Sequence, residues 1–143
     1  MNNVLIVCNK AVRKVNFLES DLSKLEDFAS WRWLELEGGE PFDANYNESS
    51  IKTLQDNLEN IDGLIISDGS PRIDQNILEF AKSLRIIGDL EGDRFAKRID
   101  LEEAWQRDVI TVDTTQGSSY PVAEWALALV IISLKNAGYY FRK

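Results

Sequence analysis

The sequence predicts an α/β protein: a doubly wound, five-stranded parallel sheet in the order 2-1-3-4-5, with a long C-terminal helix. Three observations predict it. Short, β-branched apolar runs recur five times along the chain, and amphipathic or turn-rich stretches separate them. Strands that alternate with helices build a parallel sheet covered on both faces. The run WRWLEL at 31–36 alternates large apolar with polar residues, as a half-exposed edge strand does, and order 2-1-3-4-5 puts the second strand at an edge.

Taken in order, Val4 to Val7 is brief and β-branched, the pattern of a buried strand. Phe17 to Ala29 repeats Phe17, Leu18, Leu22, Leu25 and Phe28 at helical spacing. Trp31 to Leu36 is the edge strand, and Gly38, Gly39 and Pro41 break the chain after it. Glu48 to Asn60 carries the stripe Ile51, Leu54 and Leu58 of a second helix. Leu64 to Ile66 is the third strand, ended by Ser67-Asp68-Gly69-Ser70-Pro71. Asp74 caps a helix that runs to Ser83 and faces Ile77, Leu78 and Ala81 inward. Leu84 to Gly88 is the fourth strand, Ile99 to Arg107 a short helix, and Val109 to Val112 the fifth strand. The last helix starts at Ser119-Tyr120-Pro121, with Ser119 as its cap and Pro121 in its first turn, and runs to about Asn136. This divides the chain into a flavodoxin-like domain over 1–118 and a terminal helical segment over 119–143.

Composition removes several function classes. The 143 residues include 24 Asp and Glu against 16 Lys and Arg, a formal charge of −8. That balance repels phosphate backbones and anionic lipid, so neither nucleic acid nor a membrane is an expected partner. The chain has no histidine, which excludes histidine bases, histidine metal ligands and the Ser-His-Asp triad. One cysteine, Cys8, rules out an intrachain disulfide or a cysteine-rich zinc site. The N-terminus has no basic, apolar leader pattern, and the expected setting is cytoplasmic.

In a doubly wound sheet, ligands sit beyond the carboxyl ends of the strands, at the point where strand order reverses. Here that crevice falls between Cys8-Asn9-Lys10 and Ser67-Asp68-Gly69-Ser70, with Asp89 to Arg94 beside them. Each segment also has a plain structural reading. Asp68-Gly69-Ser70-Pro71 is turn chemistry; Asp89, Glu91 and Asp93 are a solvated acidic loop or a magnesium site; Cys8 is packing or a reactive thiol. Trp31, Trp33, Trp105 and Trp125 read as core or interface anchors. Ser118 and Ser119 at a helix start form a generic anion site.

The most informative stretch is VAEWALALVIISL, from Val122 to Leu134. Trp125 to Ile132 is apolar without interruption for over two turns, and an all-round apolar helix is buried all round. One side can lie on the domain body; the other needs a second domain or a second copy. The expectation is a chain that either oligomerises through this helix or has been cut from something larger.

Three stretches together resemble the D-isomer-specific 2-hydroxyacid dehydrogenases: LRIIG (Leu84 to Gly88), RIDLEEAWQRDV (Arg98 to Val109) and ITVDTTQGSSYPVAEWALALVIISLKN (Ile110 to Asn136). LIISDG (Leu64 to Gly69) fits the preceding strand and loop, and residues 1–60 follow the family by pattern. The resemblance implies a flavodoxin-like substrate domain from which the NAD- or NADP-binding Rossmann domain is missing. It implies that the catalytic Arg, Glu and His lie in the missing part, so this chain alone carries no catalytic residue, binds no cofactor and transfers no hydride. It places a 2-hydroxy or 2-oxo acid carboxylate on backbone N–H groups of Leu90, Glu91 and Gly92, with Gly69 and Ser70 closing over it. Ser118, Ser119 and Val122 would approach the substrate and nicotinamide. The helix at 122–134 would bridge the two domains and join a homodimer. The loop GDLEGDR departs from the family's small, neutral segment, and its Asp89, Glu91 and Asp93 disfavour an anion.

Two other readings share the fold. A phosphoreceiver-type signalling module would use Asp68 as phosphoacceptor, but Cys8-Asn9-Lys10 lacks its acidic pair and Thr114-Thr115 stand where it needs a lysine. A non-catalytic dimerisation domain would use the apolar helix alone. A flavin site is disfavoured, because the loop after the first strand lacks a phosphate cradle.

Overall fold

The computed structural model describes residues 2–91, 95–135 and 139, without the side chains of 95, 96, 115, 116 and 118. The chain divides into two compact units, one ending at Asp113 and the other beginning at Thr114. In the first, strands β1 (Asn2–Cys8), β2 (Ala29–Glu35), β3 (Gly63–Ile66), β4 (Ile86–Asp89) and β5 (Ile110–Asp113) form one sheet in the order β2-β1-β3-β4-β5. Every pairing is parallel. The predicted order holds, with strand ends displaced by at most two residues. β2 begins at Ala29, inside the stretch expected to be helical, and β4 begins at Ile86 rather than Leu84.

Register explains the core. Leu5, Leu64 and Ile87 lie side by side across β1, β3 and β4, and Val7, Ile66 and Asp89 form the next row on the same face. Helix α3 (Glu48–Gln55) lays Leu54 over this face, and Leu58, Ile73 and Ile77 complete the buried cluster. Asn47 caps α3, and Asp74 caps the short α4 (Gln75–Leu78) by accepting the Ile77 N–H at 3.2 Å. Helix α5 (Phe95–Arg98) was not expected, whereas α6 (Leu101–Gln106) falls within the predicted 99–107 and is capped by Asp100, which accepts the Glu103 N–H at 3.2 Å.

The opposite face of the sheet departs further from expectation. The helix predicted over 17–29 is the shorter α2 (Glu19–Glu26), and an unpredicted helix, α1 (Lys10–Asn16), precedes it, with extended backbone at Phe17 and Leu18 between them. Neither buries a residue completely. Phe17 instead stands edge-on to Trp33 at 4.5 Å, and Trp31 edge-on to Trp33 at 5.7 Å. Those two tryptophans are half-buried on the edge strand, as expected, but Trp105 and Trp125 are exposed and anchor no core.

The second unit holds helix α7, Thr115–Leu134. It starts four residues earlier than predicted, so Ser119 is not its cap and Pro121 is its seventh residue rather than part of its first turn. The Ser119 N–H therefore falls beyond the four orphan donors of the first turn, of which Ser118 carries the last. Its apolar side chains are open on successive positions: Leu127 is 62%, Leu129 54% and Ile132 49% exposed. No helix among the described residues is long and apolar enough to cross a membrane.

Candidate functional site

Strand alternation sends side chains two apart to the same face. Ile66 and Asp89 end the core-facing row of β3 and β4, so Asp68 and Glu91, two residues further on, fall to the same side at the carboxyl edge. Three carboxylates thus converge where the apolar core ends. Arg98, at the end of α5, is the cation that meets them, and its side chain is fully buried.

All three guanidinium nitrogens are used. Nη1 donates to Asp89 Oδ1 at 3.2 Å, Nη2 donates to Asp68 Oδ1, and Nε donates to the Asp43 carbonyl at 3.4 Å. Glu91 Oε2 lies 3.7 Å from Nη2, and its other oxygen accepts from the Ser67 hydroxyl at 3.2 Å. Asp68 Oδ1 also accepts the Phe42 N–H at 2.8 Å, which ties the 37–45 loop to the end of β3. Asp89 Oδ1 accepts the Glu91 N–H at 3.0 Å. Asp89 Oδ2 is buried without a hydrogen bond.

The balance is three acids to one base, and burial decides which group yields. Desolvation pushes the Asp89 carboxyl above its ordinary range, against the opposing pull of the Glu91 N–H and of Arg98. The Glu91 carboxylate adds to the rise. Cys8 is 1% exposed, and burial pushes its thiol up to about 11. It is therefore protonated at neutral pH and packs as a small apolar side chain.

The loops at the reversal point are laced together. Asn9 N–H donates to the Asp68 carbonyl at 2.7 Å, and the Asn9 side chain caps α1 by accepting the Val12 N–H at 2.9 Å. Gly69 sits at φ +95°, where a Cβ would run into the Leu36 carbonyl oxygen and the Asn9 amide nitrogen. Ser70 is fully buried; its hydroxyl donates to the Pro71 carbonyl at 3.0 Å and its carbonyl accepts the Asn45 N–H at 2.8 Å. Asn45 Nδ2 lies within 3.1 Å of the Gly69 and Glu37 carbonyls and the Ser50 hydroxyl.

Gly69, Ser70, Leu90 and Glu91 are thus brought to one edge of the sheet. The Leu90 N–H donates to the Ile66 carbonyl at 3.0 Å, and the Glu91 N–H is held by Asp89. Gly92 lies outside the described residues, as does Asp93. Ser118, Ser119 and Val122 lie on α7 in the second unit. Sequence reasoning missed Arg98 and Asn45. The alternations Ile66-Asp68 and Ile87-Asp89-Glu91 were the available signal, because they commit three acids to a buried face that demands a cation. Among the described residues no group of acids or cysteine is disposed to hold a metal ion. Asp68, the residue a phosphoreceiver would need, is engaged by Arg98 and the Phe42 N–H.

No family model matches the sequence, and no curated protein matches it either. Solved structures do. A phosphoglycerate oxidoreductase from Rhizobium etli superposes with a TM-score of 0.65 at 18% identity, covering 99% of this chain and 40% of that one. An NAD+-bound 3-phosphoglycerate dehydrogenase from Entamoeba histolytica gives 0.52 at 18% identity, over 92% of this chain and 39% of that one. The pyruvate reductase of Chlamydomonas reinhardtii gives 0.53 at 20% identity, over 99% and 38%. The chain spans 40% of the length of the first of these structures, and less of the other two. Its fold, a five-stranded parallel sheet of order 2-1-3-4-5 with a C-terminal helix, is the fold of a portion of such oxidoreductases.

Proposed function

We propose that the chain is the substrate-domain portion of an NAD(P)-dependent oxidoreductase acting on the CH–OH group of a 2-hydroxy acid, and that it is inactive by itself. The observation that carries this reading is a fold shared over 92% or more of the chain with enzymes of which it spans 40% or less. Hydride transfer to a 2-oxo acid also needs a proton donor tuned near neutrality, and the sequence has no histidine. The sequence has no GxGxxG either. At the first βα turn the side chain of Asn9, not an open glycine cradle, fills the helix start. That turn therefore offers no glycine cradle for a dinucleotide, and this reading assigns the cofactor to a separate domain.

The exposed apolar surface of α7 supports a second role for the same chain, a homodimer joined through residues 122–134. A non-catalytic dimerisation domain would share this property. Incubating the chain with NADH, NADPH and a panel of 2-oxo acids tests the principal reading, with absorbance following cofactor oxidation. The expected result is no turnover; steady oxidation by a homogeneous preparation would overturn the assignment of catalysis to a separate domain.

A further inference from the structure

We infer that α7 of one copy lies on the open face of β3, β4 and β5 of a second copy, and that the exchange is reciprocal. The inference rests on the proposed homodimer and names the surface that α7 meets in it.

A parallel sheet is normally covered on both faces. One face is covered here: Leu54 of α3, Ile77 and Leu78 of α4 and Ala104 of α6 join one buried cluster with Leu5, Leu64 and Ile87. On the other face, α1 and α2 stand towards the β2 edge, where Phe17 meets Trp33. Gly63, Ile86 and Ile110 form a row across β3, β4 and β5 on that same face, and Ile65, Gly88 and Val112 form the next. Ile86, Ile110 and Val112 are 41%, 61% and 45% exposed. None of the six residues is charged, and the two glycines leave a shallow trough. A Cβ on Gly88 would meet, among the described residues, only the Val112 side chain, at 3.6 Å.

The trough has the width of a helix. A helix is about 10 Å across, and β3 to β5 spans about 10 Å at ~4.8 Å per strand. Helix α7 has the matching chemistry, because Trp125 to Ile132 carries no charge and its large side chains are exposed. Two copies of a chain with formal charge −8 repel one another unless uncharged surfaces meet, and these are two such surfaces. Each copy offers one bare helix and one bare sheet face, so a two-fold exchange covers both. Contact of helix with helix alone would leave both sheet faces open.

Val112→Lys and Leu129→Glu are made as separate variants, checked for the sheet by circular dichroism, and weighed by sedimentation equilibrium. Val112→Lys puts two unpaired ammonium groups into a reciprocal dimer, so its dissociation constant should rise about 100-fold or more. Mixing the two variants should restore dimers. One of the two contacts is then natural on both sides, and the other sets the introduced carboxylate beside the introduced ammonium. Val112→Lys that dimerises like the natural chain, or a mixture of folded variants that stays monomeric, overturns the inference. Should Val112→Lys fail to fold, the natural chain still decides. The methyl NMR signals of Ile86, Ile110 and Val112 should shift with concentration in step with those of Leu129 and Ile132. Shifts confined to α7 overturn the inference and leave the homodimer reading intact, whereas a chain monomeric at every concentration overturns both.

Discussion

At the carboxyl ends of β3 and β4 the protein buries a charge, and along α7 it exposes grease. Arg98 is 0% exposed, whereas Trp125, Leu127 and Leu129 are 69%, 62% and 54% exposed. Residue type alone predicts the reverse for both. The difference lies in what each region finds inside its own unit. Arg98 finds Asp68, Asp89 and Glu91, three acids delivered to one place by strand alternation. The helix is apolar around its whole circumference, and no single packed face can satisfy it. The ion cluster is a closed local solution, whereas α7 is an open one within its own unit.

The largest effect should come from breaking the closed region. Arg98→Met leaves three carboxylates buried together, and removing one partner of a buried ion pair costs roughly 3–5 kcal/mol. Urea unfolding followed by circular dichroism should show a midpoint lowered accordingly. A loss below about 1 kcal/mol would mean that the acids are hydrated and the cluster is loose.

The open region should respond differently. Leu129→Glu with Ile132→Glu should shift the chain from dimer to monomer in gel filtration, without loss of the sheet's ellipticity. Each side chain forgoes about 1.5–3 kcal/mol of burial in the dimer, so dissociation should strengthen by well over 100-fold for the pair. An unchanged elution volume would count against the α7 interface.

Gly69→Ala should destabilise by about 2 kcal/mol or more. It combines a left-handed backbone with a collision against the Leu36 carbonyl. Differential scanning calorimetry reads this directly, with Gly63→Ala as a comparison at a glycine of ordinary φ.

The smallest effect is a pH dependence. The carboxyl of Asp89 titrates higher in the folded chain than in the unfolded one. Its contribution is therefore fully present below the unfolded value and is lost as pH rises through the folded value. Asp89→Asn should remove that loss, so its stability should fall less than that of the natural chain between pH 3 and pH 7. Parallel profiles for the two proteins would contradict the burial of Asp89.

Much of this fold is written in local patterns. Five β-branched runs and the polar alternation of 31–36 are enough for the strand order. Helix α1 was not legible, because KAVRKVN buries no residue and so leaves no apolar stripe to read. The start of α2 was placed two residues early because Phe17 and Leu18 fit its apolar spacing, but Leu18 is 62% exposed and serves as the helix boundary. The ion cluster depends on partners 30 and 9 residues apart in sequence, Asp68 and Asp89 with Arg98, and no window-based pattern spans such distances. The acidic loop was legible as unusual; that its charge turns inward to an arginine needed the register of β3 against β4.

Sedimentation equilibrium of the 143-residue chain, across a hundredfold range of concentration, tests most directly the claim that α7 is built to be covered. The account predicts a concentration-dependent rise to twice the chain's mass, with amide exchange slowing over residues 122–134 in step. A single monomeric mass at every concentration, with those amides exchanging slowly even when dilute, would contradict it.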